Sequence, residues 1–326
     1  MAKVLVLGGA GFIGFHLVRR LAEQQSDQIT LVDDLSRGQL DQELERFLAA
    51  NPQINLVTGD LSKPETFDKL GGPFDQVYLL AGVVGVRNVE TQSARVLYIN
   101  TNIVMNAVEW AKRVGCGRML YASTSEAYGA SVELGYGAIP TAEDVPVGVI
   151  DVQHPRSTYA ISKMLGEATI THYSKTFDFE AVIVRYHNVY GPRMGMDHVI
   201  PEVMDRLSSG MNPLPVYGQD QTRAFCYVSD AVAASQALMT CPITTPELVH
   251  IGNDHEISIN SLLEKMLKVT GLNPDLEWLP APSGGVSRRC PDISKLRKLT
   301  GFEPAVPIES GLSHTWEWYG HGVRQR

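Results

Sequence analysis

The chain has 326 residues, 44% hydrophobic and 20% charged, which is enough apolar material for one large α/β unit or about two domains. A formal net charge of -8 excludes the broad basic face that non-specific nucleic-acid binding needs. No apolar run is long enough to span a membrane, and four scattered cysteines (Cys116, Cys226, Cys241, Cys290) match neither a disulfide framework nor a zinc motif, so a cytoplasmic protein with reduced thiols is expected.

In chain order, KVLVLGG predicts a strand and FIGFHLVRRLAEQQ a helix. The N-terminus lacks a cleavage-site pattern, so no signal peptide is expected. QITLVDD and INLVTGD predict the second and third strands, and FDQVYLLAG the fourth. NTNIVMNAVEWAKRVG is helical, RMLYAST is the fifth strand, STYAISKMLGEATITHYSKTF is a long helix, and FEAVIVRYHNVYGP is a buried strand ending in a Gly-Pro turn. Short apolar strands alternating with helices indicate βαβ units and a doubly wound, Rossmann-like parallel sheet. After about residue 190 Pro and Gly become frequent (GPRMG, MNPLPVYG, CPITTPE, LPAPSGG). The expected organisation is residues 1–190 as a dinucleotide-binding domain and 191–326 as a smaller mixed substrate region, with some later segments returning to the first.

GGAGFIG sets Gly8, Gly11 and Gly14 between the first strand and first helix. Such a loop allows a tight turn, close backbone approach to a pyrophosphate, and free N–H groups at a helix N-terminus. The spacing is G-x-x-G-x-x-G rather than G-x-G-x-x-G. Asp33 ends the second strand nineteen positions after Gly14, where a carboxylate would bind a ribose 2′-OH and repel a 2′-phosphate. NAD is therefore favoured over NADP, with Arg37 nearby as the opposing feature. Asp60 of TGDL is read either as an adenine-side contact or as a cap of its own loop.

Tyr159 and Lys163 form Y-x-x-x-K at a helix start, one turn apart on one face. An ammonium beside a phenol favours phenolate, so Tyr159 is expected to titrate toward neutrality and to serve as a base. In YASTSEAYGA, Glu126 follows a small polar run at a strand end. It is either a solvated loop charge or a catalytic carboxylate. Arg185, Arg193, Arg223, Arg288 and Arg289 gather near Gly/Pro loops in a net acidic chain, which suits an anionic ligand.

GGAGFIG, VDDLSRG, TGDL, STSE, YAISK, RYHNVYGPRM and PDISKLRKLTGFEPAVPIESGL together resemble the extended short-chain dehydrogenase/reductase family, in its nucleotide-sugar epimerase, dehydratase and decarboxylase branch. The resemblance implies a Rossmann-like NAD domain, a C-terminal region for a nucleotide-diphosphate sugar, oxidation at sugar C4 and a homodimer joined through long helices. It assigns Thr124 to hydrogen-bonding the reacting hydroxyl, Tyr159 to base, and Lys163 to tuning that base and holding the nicotinamide ribose. Phe12, Ile13, Leu61, Leu80 and Ala81 join the glycines, Asp33 and Asp60 as cofactor contacts. Asn188, Arg223 and Arg289 match substrate-binding positions, with Arg193 as a further candidate and Tyr217 as a candidate wall for the base.

Glu126 implies chemistry beyond C4, because a 4-ketone acidifies the C5 proton and a nearby carboxylate can then move it. The RYHNVYGPRM segment and the tail resemble most closely the UDP-glucuronate decarboxylases. A nucleotide-sugar 4-epimerase, uronic acids included, a 4,6-dehydratase, a net ketosugar reductase, and a non-catalytic NAD-binding sensor or scaffold are the other readings. Three features depart from the decarboxylase pattern: LAGVVGVRNVE lacks a proline-bearing loop, His187 stands where those proteins have an aromatic carbocycle, and a longer segment precedes Tyr159.

Overall fold

The computed structural model describes residues 2–24, 28–37, 40–281 and 287–320; Gly38 of VDDLSRG and residues 282–285 of LPAPSGG lie outside them. Six strands follow the sequence pattern: β1 (Lys3–Leu7), β2 (Gln28–Asp33), β3 (Asn55–Thr58), β4 (Phe74–Leu79), β5 (Cys116–Thr124) and β6 (Glu180–Tyr186). A seventh, Glu247–Ile251, which the sequence did not suggest, pairs with β6 at the edge of the same sheet. Every pairing in this sheet is parallel, in the order Glu247–Ile251, β6, β5, β4, β1, β2, β3.

Continuous apolar strands suit a sheet covered on both faces. Successive side chains alternate between two cores: Val4 and Val6 join Leu17, Leu21 and Ala231 on one side, while Leu5 and Leu7 join Ile103, Val104, Ala107 and Ile170 on the other. The first core is closed by the helices Phe12–Glu23 and Val228–Thr240, the second by Ser93–Val114 and Ser157–Phe177. Residues 228–251 thus return from the C-terminal half to the sheet.

A third core (Tyr190, Ile200, Met204, Leu214, Phe225, Leu262, Met266, Leu312) holds the remaining C-terminal elements. Beside it, Thr222–Ala224 pairs antiparallel with Glu256–Ser258 and parallel with Arg288–Arg289, which sets Arg223 opposite Arg289. No helix among the described residues is long and apolar enough to cross a membrane.

Candidate active site

The glycine loop is shaped by close approach. Gly8 has φ +88°, and a Cβ there would lie 2.7 Å from the Ala81 Cα. A Cβ on Gly14 would collide with the Gly8 carbonyl, so the helix can start this close to β1 only with glycine. The helix Phe12–Glu23 begins at Gly11 with no side-chain cap, leaving first-turn N–H groups for an anion. Phe12 and Ile13 pack against the core under this turn. The Asp33 carboxylate braces the loop, accepting from the Ala10 N–H at 3.0 Å and the Leu35 N–H at 2.9 Å. Burial raises its pKa against those bonds. Leu80 and Ala81 both donate to the Leu7 carbonyl at 2.9 Å, and Leu61 is buried. Asp60 is exposed and caps its own turn, accepting from the Ser62 N–H at 2.8 Å and hydroxyl at 2.7 Å. The residues present fit a dinucleotide: a loop no Cβ can enter, a free helix N-terminus and an acid beneath it.

At the same end of the sheet, β5 delivers Thr124. Its hydroxyl accepts from the Glu126 N–H at 3.2 Å, capping the 3-10 turn Ser125–Tyr128, and is hydrogen-bonded to Tyr159. Lys163, one turn along the helix from Tyr159, is buried and donates from Nζ to the Ala122 carbonyl at 2.8 Å. Burial lowers its pKa to about 8, opposed by Glu167.

The expected fall in the Tyr159 pKa is not found; the phenol is pushed up to about 12. Burial is the main cause and the negative charge of Glu126 the second, outweighing the Thr124 hydrogen bond and Arg37. The Lys163 ammonium is committed to a backbone carbonyl, 6.0 Å from the Tyr159 ring centre, and does not offset them.

Glu126 stands at the mouth of this group in an ion pair, Oε1 to Arg289 Nη1 at 2.6 Å. Arg289 is the largest cause of its lowered pKa, with Arg223 and Arg156 behind it. Arg223, across the strand pair, has its pKa lowered to about 10 by burial and then by Arg289. Two guanidiniums forced together are an arrangement an anionic ligand relieves. Asn188 (φ +40°) donates to the Ala224 carbonyl at 3.0 Å, tying the end of β6 to the Arg223 strand. Tyr217 is exposed, on the strand Leu214–Tyr217, with the Arg206 guanidinium 5.8 Å from its ring centre.

The other arginines serve the scaffold. Arg193 pairs with Asp41 at 2.6 Å and lies 4.1 Å over the Phe15 ring, so its guanidinium is not brought to Arg223 and Arg289. Arg288 pairs with Glu256 at 2.6 Å. Arg185 is buried against Glu167 by two bonds, 2.8 and 2.6 Å. Glu167 also accepts from Ser123 at 2.5 Å, and Arg185 donates to Tyr128. This network is absent from the sequence reading. The spacing of Glu167, four residues after Lys163, was its one signal.

The NAD-dependent epimerase/dehydratase family model matches residues 4–252. UDP-glucuronic acid decarboxylase 1 of Xenopus tropicalis is 32% identical over 97% of this chain and 72% of that protein. UDP-N-acetyl-alpha-D-glucosaminuronate decarboxylase of Bacillus cytotoxicus is 32% identical over 97% of each. Among solved structures, UDP-glucuronic acid 4-epimerase from Bacillus cereus, in complex with UDP-glucuronic acid and NAD, superposes with a TM-score of 0.85 at 25% identity, covering 97% of this chain and 98% of that one.

Proposed function

The chain belongs to the NAD-dependent epimerase/dehydratase family, and from that membership and the site's geometry we infer a nucleotide-sugar uronate decarboxylase, with UDP-glucuronate as the leading substrate. The coarser statement, an NAD-dependent enzyme that modifies nucleotide sugars by decarboxylation or epimerisation, follows from its relatives. The observation that carries the finer reading is Glu126, held by Arg289 beside the Thr124–Tyr159 pair. A 4-epimerase needs no second carboxylate; chemistry at C5 uses one.

NAD, when bound, supplies reversible oxidation of the sugar carbinol at C4. Gly8, Gly11, Phe12, Ile13 and Gly14 would hold its pyrophosphate, Asp33 a ribose, Asp60, Leu61, Leu80 and Ala81 the flanks, and Lys163 the second ribose. Tyr159 would take the C4 hydroxyl proton as phenolate, a form that needs positive charge beyond Lys163 because burial and Glu126 hold the phenol up at about 12 in the protein alone; Thr124 would orient that hydroxyl. Once C4 is a ketone, the bond from C5 to the carboxylate can break: CO2 leaves, its electron pair passes into the enolate, a proton drawn from solvent on the Glu126–Arg289 side restores C5, and the C4 ketone would take back its hydride together with the proton held by Tyr159. Arg223, Arg289 and Asn188 would face the diphosphate and sugar, with Tyr217 beside the base.

Incubating the purified protein with UDP-, GDP-, CDP- and dTDP-sugars, uronates included, tests this by mass spectrometry. Loss of CO2 supports the reading. An isomer of unchanged mass would instead establish a uronate 4-epimerase, the alternative that the Bacillus cereus structure favours. Loss of water would establish a dehydratase.

A homodimer is also proposed. The helices Ser93–Val114 and Ser157–Phe177 pack on each other and leave Tyr98, Met105 and Leu165 exposed. A second copy would cover them, and light scattering at a monomer mass would overturn this. The four free cysteines suit a reducing cytoplasm.

A further inference from the structure

Glu126 and Arg289 are 163 residues apart in sequence, so their pairing depends on how two distant segments are held together. Glu126 sits in the turn Ser125–Tyr128, and the buried Tyr128 ring anchors that turn. Arg289 lies three residues before Asp292, in a stretch clamped by Thr141: the Thr141 N–H donates to the Cys290 carbonyl at 2.9 Å and the Asp292 N–H to the Thr141 carbonyl at 2.8 Å. Between the two lies His250, on the edge strand and 0% exposed. Its Nε2 is 2.7 Å from the Tyr128 hydroxyl and its Nδ1 3.1 Å from the Asp292 carbonyl.

The tautomer follows from the partners. A carbonyl only accepts, so Nδ1 carries the proton. Nε2 is then a bare acceptor, and Tyr128 donates to it. The phenol oxygen keeps lone pairs for Arg185, whose guanidinium donates to it. One arrangement satisfies every atom.

We infer that His250 is a positioning residue: a neutral imidazole strut that joins the turn carrying Glu126 to the segment carrying Arg289 and so sets the geometry of that pair. The groups around it are Tyr128, His187 (ring centre at 4.6 Å), Arg185, Lys295, Asp292 and Glu143, whose carboxylate accepts from the His250 backbone N–H at 3.0 Å. Burial is the main reason the imidazole stays neutral, its pKa lowered to about 3. His187 packs on the strut with neither ring nitrogen hydrogen-bonded.

The functional weight of the strut rests on the proposed role of Glu126, so the test reads the pair directly as well as turnover. In the wild-type protein, 15N NMR of His250 should show a neutral ring protonated at Nδ1. His250→Asn cannot span both partners. Its Glu126 carboxyl, followed by 13C NMR, should titrate at higher pH than in wild type, because Arg289 is no longer held against it. In turnover, kcat should fall about ten- to a hundredfold, the effect of misplacing a reacting group by about an ångström, with NAD binding unchanged. Tyr128→Phe removes the same hydrogen bond while keeping the ring and should shift both readouts in the same direction, which covers the case that His250→Asn does not fold. An unshifted Glu126 titration in either folded variant overturns the strut, as does a ring protonated at Nε2. If the titration shifts but wild type turns over no nucleotide sugar, the function reading fails and the strut stands.

Discussion

Two of the molecule's glutamate–arginine pairs, Glu167–Arg185 and Glu126–Arg289, close to the same 2.6 Å near the end of β5, and they do opposite work. Glu167–Arg185 is sealed, its side chains 10% and 4% exposed, bonded twice to each other and further to Ser123 and Tyr128. Glu126–Arg289 is single and open, its side chains 47% and 16% exposed, with a second arginine behind it. A buried pair with all its bonds made cannot exchange partners, because either charge left alone pays for desolvation. A pair at a cleft mouth exchanges with little loss, since water and a ligand can replace either half. The surroundings therefore decide whether the same two groups are scaffold or reagent.

Substitution should separate the two cleanly. Glu126→Gln is expected to lower kcat by about 10²- to 10⁴-fold, the range of a lost proton-transfer group, with thermal unfolding and nucleotide binding as in wild type. Full turnover by that variant would return Glu126 to a loop charge. Glu167→Gln should act the other way, costing about 3–5 kcal/mol in denaturant unfolding because it leaves Arg185 buried without its counter-charge. An effect of comparable size, but confined to acid pH, comes from His250, which burial keeps neutral. Its folded pKa, about 3, lies below the ordinary value near 6.5. Its contribution is complete above 6.5 and declines as pH falls toward the folded value, by about 1.4 kcal/mol per unit. Acid-unfolding curves of wild type against His250→Asn should converge over that window. Glu126→Gln should also lower the Tyr159 titration, because a charge that raises it is gone. Ultraviolet titration of the phenol checks this. Arg288→Ala, next in sequence to Arg289 but paired outward with Glu256, should leave turnover and unfolding unchanged.

The open pair was more legible in the sequence than the sealed one. Glu126 stood out because simple 4-epimerases of the branch the chain resembles carry a small or neutral residue there, and Arg289 because RRCPDI resembles a diphosphate-holding segment of that branch. Arg185 was grouped with the ligand-facing arginines, since a charge near a Gly/Pro turn looks the same whether it faces a ligand or the core. Its partner lies on a helix 18 residues earlier, and only the packing of that helix on β6 reveals it. Arg193 reads the same way in sequence, and its pairing with Asp41 and its place over Phe15 are likewise visible only in the fold. The Tyr159 pKa was read from one neighbour, Lys163, whereas burial and Glu126 set it. The glycine loop, the strands and helices of the βαβ alternation and the Tyr159 helix were legible because each is local. The edge strand Glu247–Ile251 was not, because its parallel partner β6 lies some sixty residues before it.

The most direct measurement is turnover of UDP-glucuronate by wild type and Glu126→Gln side by side, with released CO2 and the sugar product both followed. Wild type should release CO2 in step with loss of substrate, and Glu126→Gln should bind the same nucleotide sugar yet release almost none. Equal CO2 release by the two proteins, or a 4-epimer formed by both with no CO2 at all, would contradict the role given to Glu126.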